Sequence, residues 1–111
     1  NIDIEIIDLQ TLIPFDKEEI VKESLKKTSK LLIVDEDLPG GASSYILQKI
    51  LEEQNCFSLL DSKPVTLTSK AHRPAYGSDG DYFSKPSIDD IIEKANEIMN
   101  EYDPNNYPEI I

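Results

Sequence analysis

Five residues after one apolar run have types and spacing that could do chemistry. Asp35, Glu36 and Asp37 follow the letters LLIV, and Gly40 and Gly41 come shortly before a helical pattern begins. Carboxylates at the end of a buried strand are typical of the magnesium sites of nucleotide-hydrolysing enzymes, which also need a G-x-x-x-x-G-K-[ST] loop for the phosphates. That loop does not occur in the sequence, so an ATPase is not predicted.

The glycine pair could instead approach a pyrophosphate, because dinucleotide-binding folds place glycines between a strand and a helix. The full G-x-G-x-x-G pattern is absent, and the three preceding carboxylates would repel an anion. We therefore interpret Gly40 and Gly41 as a tight turn that uses positive φ and lets the helix pack closely on the sheet.

Other reactive residue types lack the neighbours that chemistry would need. Asp79 and Asp81 alternate as in a calcium loop, but the further ligands and distal Glu of an EF-hand are missing, which favours an ordinary acidic turn. His72 and Arg73 could serve as a general base or a phosphate contact, yet no Ser-His-Asp order or metal-ligand spacing accompanies them. Cys56 precedes an apolar stretch and is interpreted as a small core residue. No complete catalytic set is predicted.

Length and charge limit the class of protein. The 111 residues suffice for one domain, and the net charge of −11 makes nucleic acid an unexpected partner and a basic protein an expected one. A single cysteine fits a reducing cytoplasm, and no apolar run approaches the roughly 20 residues that span a membrane. The chain starts without Met, directly in strand-like sequence, which is expected of a fragment of something longer.

Strand and helix patterns alternate along the chain. They predict a strand over 2–9, a helix over 16–28, a strand over 30–36, a helix over 42–54, a strand over 64–69 and a helix starting at Ser87. Ile2, Ile4 and Ile6 alternate with acids and predict the buried face of the first strand. The order, with its continuously apolar second strand, indicates a three-layer α/β/α fold with a mainly parallel sheet.

Two of the helix starts carry capping patterns. Asp16 is followed three residues later by Glu19, and Ser87 is followed three residues later by Asp90. This spacing predicts a capping box at each start. The domain is expected to cover residues 1–103, with residues 104–111 forming a tail that has no clear element.

Several stretches together resemble one protein family. The segment EIIDLQTLIPFDKEEIVKESLKKTSKLLIVDED, the turn GGASSYI, the helix end EEQNCF and the loop HRPAYGSDGDYFSKPS follow in the family's order. They resemble the transketolase C-terminal-like domain of the β subunit, or fused β half, of thiamine-diphosphate-dependent 2-oxo acid dehydrogenases of the pyruvate or branched-chain type. GGASSYI and EEQNCF are most similar to the branched-chain type.

The resemblance implies a supporting role. The parent enzyme would decarboxylate a 2-oxo acid with thiamine diphosphate and magnesium held by other domains, so this chain would be inactive alone and would supply no catalytic, cofactor or metal residue. Its domain would build subunit interfaces and help to dock the acyltransferase component, whose subunit-binding domain is basic. Possible contacts to a neighbouring domain or partner are Asp35, Glu36, Asp37, Gly40, Gly41, His72 and Arg73.

The resemblance also implies that a central strand of the sheet is missing. In the family, that strand separates the counterparts of residues 2–9 and 31–36, so these either pair directly here or leave an open edge that favours homo-oligomers. An alternative from another class is a small flavodoxin-like regulatory domain, with a magnesium pocket at Asp35, Glu36 and Asp37. A phosphorylated receiver would then use Asp8 and Lys70, whose spacing fits poorly.

Overall fold

A computed structural model describes residues 2–70 and 85–110 of the chain. The elements are α1 (Ile20–Thr28), β1 (Leu32–Val34), α2 (Ala42–Gln48), β2 (Val65–Leu67) and α3 (Ile88–Tyr102). A π-helical turn, Lys49–Glu53, continues α2, and a 3-10 turn covers Phe57–Leu59. From α1 onward the order is the one predicted for an α/β fold. No helix in the described ranges is long and apolar enough to cross a membrane.

The sheet is parallel, as predicted. Leu32 lies opposite Val65, and the register continues to Val34 opposite Leu67. At the two ends of the pair, the N–H of Val65 donates to the Leu31 carbonyl at 3.1 Å, and the N–H of Asp35 donates to the Leu67 carbonyl at 3.0 Å. Two parallel neighbours need a crossover connection, which α2 provides.

The core lies between the sheet and the first two helices. Its buried members are Val21 and Leu25 of α1, Ile33 of β1, Ile46 of α2, Ile50 of the π-helical turn that continues α2, and Cys56. Ile50 and Cys56 are the most enclosed, at 1% and 0% exposed. The interpretation of Cys56 as a core residue is therefore confirmed.

The strand predicted over residues 2–9 does not form within the described part of the chain. Residues 2–10 have neither strand nor helix conformation, and β1 has β2 as its ladder partner there. An extended segment becomes a strand only when its N–H and C=O groups pair with a neighbour. The sequence resemblance predicts that residues 2–9 and 31–36 either pair directly or leave an open edge. Among the described residues, the direct pairing is absent.

The predicted buried face of this segment is also wrong. Ile4 and Ile6 are exposed to 60% and 86%, whereas Ile7 and Leu9 pack against the core. Ile2 is half-buried, whereas Asp3 and Glu5 are exposed, so an inward alternation at odd positions is seen only at Ile7 and Leu9. The apolar pair Ile6-Ile7 breaks the alternation, and packing selects the second of the two.

The capping prediction holds for α3 and fails for α1. Ser87 Oγ accepts the N–H of Asp90 at 3.1 Å, and Asp90 Oδ2 accepts the N–H of Ser87 at 2.9 Å, as a capping box requires. Helix α1 begins at Ile20, and Glu19 before it has a left-handed φ of 54°. Asp16 still stabilises the start of α1, because its carboxylate accepts hydrogen bonds from the first two N–H groups of the helix.

Candidate functional site

The acidic turn after β1 is held together by the side chain of Asp37. Its Oδ1 accepts the N–H of Leu38 at 2.8 Å, and its Oδ2 accepts the N–H of Ala42, the first residue of α2, at 3.1 Å. The pKa of the Asp37 carboxyl lies below its ordinary value, mainly because of the hydrogen bond from Leu38 and to a smaller extent because of the one from Ala42. The main-chain carbonyl of Asp37 also accepts the N–H and the hydroxyl of Ser69, each at 3.0 Å. Asp37 therefore joins β1, α2 and the end of β2.

The two glycines fit this turn for different reasons. Gly40 has a φ of +84°, which confirms that the turn uses positive φ. A Cβ on Gly41 would collide with the Asp37 carboxylate, with the Cγ atom only 2.7 Å away. Gly41 thus leaves room for the capping carboxylate.

The other two acids of the turn do not converge with Asp37 on a common point. Asp35 is half-buried, and its Oδ2 is enclosed and has no hydrogen-bond partner among residues 2–70 and 85–110. Glu36 is exposed and lies 3.8 Å from Lys85 Nζ. Within residues 2–70 and 85–110, no group of three or more His, Cys, Asp or Glu is arranged to hold a metal ion. These residues do not form the magnesium pocket of the regulatory alternative.

His72 and Arg73 lie outside the described residues, as do Asp79 and Asp81. Their roles stay predictions.

A surface that the sequence did not indicate lies along α3. We call the first of two grooves here the isoleucine groove. It is about 510 Å³ in volume and runs between the N-terminal segment (residues 2–10), α3 and the residues after α3. Its lining is mostly apolar and includes Ile2, Ile4, Ile91, Ile92, Ala95, Tyr107, Pro108 and Ile110. Ile92 and Ile110 are 51% and 58% exposed, and the nearby Ile88 is 76% exposed. Contiguous exposed isoleucines are typical of contact surfaces.

A second groove adjoins the first and is acidic. Glu93, Glu97 and Glu101 recur every four residues on α3, and together with Glu109 they line this acidic groove of about 530 Å³. The two grooves share Asn96, Glu109 and Ile110, so they form one continuous face. Lys94 pairs with Glu97 at 3.2 Å, and Lys63 also lines the acidic groove.

Two asparagines of α3 position the segment that completes this face. Asn96 Nδ2 donates to the Pro108 carbonyl at 3.1 Å, and Asn100 Nδ2 donates to the Tyr107 carbonyl at 2.8 Å. The two lie four residues apart and therefore on one side of the helix. Residues 104–110 form neither helix nor strand, as expected, but the spacing of the two asparagines is a signal for their attachment to α3 that sequence reasoning missed.

Comparison with known families identifies the class of domain. Residues 1–86 match the family described as "Transketolase, C-terminal domain". The chain belongs to this family, as the parallel α/β arrangement and the resemblance in sequence led us to expect.

Individual relatives show which enzyme subunits the chain is similar to. Over 97 residues the chain is 41% identical to "Pyruvate dehydrogenase E1 component subunit beta" of Mesostigma viride, covering 87% of this chain and 29% of the relative. The protein of the same name from Rickettsia conorii is 35% identical over 100 residues, covering 88% and 29%. "2-oxoisovalerate dehydrogenase subunit beta 2, mitochondrial" of Arabidopsis thaliana is 47% identical over 63 residues, covering 56% and 17%.

These relatives are β subunits of 2-oxo acid dehydrogenases, of both the pyruvate and the 2-oxoisovalerate kind. The chain spans about 29% of the length of the first two. No solved structure matches the chain significantly.

Proposed function

We propose that this chain is a non-catalytic assembly domain of the decarboxylating component of a 2-oxo acid dehydrogenase complex. The parent oxidises a 2-oxo acid, such as pyruvate or its branched-chain counterpart, in a reducing cytoplasm. Thiamine diphosphate and magnesium are held by its other domains. The family and the printed names of the relatives support this role. The observation that carries the docking role is the continuous face formed by the isoleucine groove and the acidic groove.

The partner proposed for this face is a basic segment with an apolar side. Burying the exposed half of one groove isoleucine, such as Ile92 at 51% exposed, contributes about 1–1.5 kcal/mol before the costs of association are subtracted. The glutamates of α3 would favour a basic partner, because complementary charge speeds its association and like charge repels acidic competitors. The basic subunit-binding domain of the acyltransferase component, which the family resemblance implies, would supply the basic part of this chemistry.

The described residues fit a supporting role better than a catalytic one. Burial raises the pKa of the Cys56 thiol, which is the opposite of what a thiolate nucleophile needs. Asp37 already caps α2. Calorimetry is expected to show no tight binding of thiamine diphosphate with magnesium to the chain alone, and tight binding would overturn the assembly role.

The other proposed partners are the remaining dehydrogenase subunits and a second copy of this chain. Within the described ranges, β1 pairs on one side, and Val34 is 45% exposed. Such an edge can accept another strand. Light scattering is expected to show dimers that Val34→Lys disrupts and that Ile6→Lys, at another exposed position, leaves intact. A strictly monomeric wild-type chain at high concentration would contradict this.

The docking role is tested by titrating the chain with the isolated subunit-binding domain in a calorimeter. Glu93→Lys/Glu101→Lys reverses the charge in the acidic groove and is expected to weaken binding by about tenfold or more. Glu18→Lys/Glu52→Lys makes the same charge change at exposed positions elsewhere and is the control. Equal loss in both variants would assign the effect to net charge and refute the site.

A further inference from the structure

One lysine joins three separate parts of the fold. Lys30 Nζ lies 2.9 and 2.8 Å from the two carboxylate oxygens of Asp61. The same atom lies 3.6 Å from the centroid of the Tyr102 ring. Lys30 precedes β1, Asp61 is in the connection to β2, and Tyr102 is the last residue of α3. The Lys30 side chain is only 14% exposed.

Helix α3 buries little apolar surface of its own. Ile98, at 8% exposed, is its one buried residue. Segments with little buried apolar surface open at a lower free energy than the whole fold. The last turn of α3 contains no basic residue, so Lys30 brings a cation to the helix end where the macrodipole favours one.

We propose that Lys30 is a latch for the last helix. Its ammonium, clamped between the Asp61 carboxylate and the Tyr102 ring, holds α3 against the sheet. When the latch is broken, α3 opens ahead of α1 and α2. The residues after α3 move with it, because Asn96 and Asn100 tie them to the helix.

Opening at the latch would also take the docking face apart. The N-terminal segment contributes Ile2 and Ile4 to the isoleucine groove, whereas α3 and the residues after it contribute the opposite wall. The latch is a property of the free chain, so its test does not depend on whether the proposed partner binds.

Hydrogen exchange of the whole chain, followed by mass spectrometry, tests the latch. Lys30→Met keeps the aliphatic stem and removes the ammonium. Exchange over residues 88–110 is expected to accelerate about two- to fivefold, the value for a cation contact to a ring that is 60% exposed, while α1 and α2 exchange at their wild-type rates. Unchanged exchange in α3 would overturn the proposal. Equal acceleration in all three helices would also overturn it, because it would show global destabilisation.

Two further variants separate the ring contact from a general loss of charge. Lys49→Met removes an ammonium that pairs with Glu53 at 3.0 Å and lies 5.3 Å from the Tyr45 ring, contacts that are internal to α2 and its π-helical turn. It is expected to leave α3 unchanged. Tyr102→Phe keeps the ring and the wild-type rate, whereas Tyr102→Leu accelerates α3. Acceleration by Lys49→Met, or equal rates for the two Tyr102 variants, would contradict the latch.

Discussion

The neighbouring isoleucines Ile6 and Ile7 give a stringent test of how the N-terminal segment packs. The same substitution is made at each, Ile6→Ala and Ile7→Ala, so side-chain chemistry and chain position are matched. Ile6 is 86% exposed, whereas Ile7 is half-buried against the core. The two changes therefore differ only in which way the side chain faces.

The expected magnitudes follow from burial. Truncating a fully buried isoleucine to alanine costs about 2–5 kcal/mol, and Ile50→Ala should fall in that range because Ile50 is 1% exposed. Ile7→Ala should cost about 1–2 kcal/mol, because its side chain is only partly enclosed. Ile6→Ala should lie within about 0.5 kcal/mol of the wild type, as exposed substitutions do.

Urea unfolding measures these differences. The midpoint should fall in the order Ile6→Ala, Ile7→Ala, Ile50→Ala with a constant slope, and each kcal/mol should lower the melting temperature by about 4–8 °C in a domain near this size. If Ile6→Ala costs as much as Ile7→Ala or more, the even positions face inward. The sequence-based face would then be right and the structural account of this segment wrong.

Three further predictions concern the turn after β1 and the core thiol. Gly41→Ala should lower the melting temperature in the wild type but much less in an Asp37→Ala background, where the colliding carboxylate is gone; equal losses would refute the close approach. The pKa of Asp37 is lowered in the folded chain, so its stabilising effect is present above the ordinary aspartate pKa and is lost as the pH falls through the lowered folded value. Urea midpoints measured from about pH 5 downward should therefore fall less steeply in Asp37→Asn. Cys56 should react with a disulfide reagent only after urea unfolding, and rapid reaction of the native chain would contradict its burial.

Several local features of the fold could be predicted from the sequence, although the capping box expected from the spacing of Asp16 and Glu19 does not form. The capping box of Ser87 and Asp90 needs only its own four residues. The turn at Gly40 depends on local backbone freedom. The parallel pair of strands follows from their order around α2, and the apolar spacing of α2 and its π-helical turn places Ile46 and Ile50 in the core.

The parts that depend on distant partners could not be predicted. The pattern in residues 2–9 cannot show whether a neighbouring strand is present, and the pair Ile6-Ile7 fits either face. The grooves depend on Asn96 and Asn100 binding main-chain carbonyls beyond the helix, and the spacing of the two asparagines does not identify which carbonyls accept. The residue types of the acids after β1 suggest a ligand site, but the sequence does not show that the Asp37 carboxylate accepts hydrogen bonds from Leu38 and from the start of α2.

Footprinting of the proposed complex tests the central claim most directly. Hydrogen exchange of the chain is measured with and without the basic subunit-binding domain of the acyltransferase component. Protection is expected to be confined to α3, residues 103–110, residues 63–65 and the start of the N-terminal segment, which together line the two grooves. Protection centred on residues 35–41, or no protection at concentrations where the two proteins associate, would contradict it.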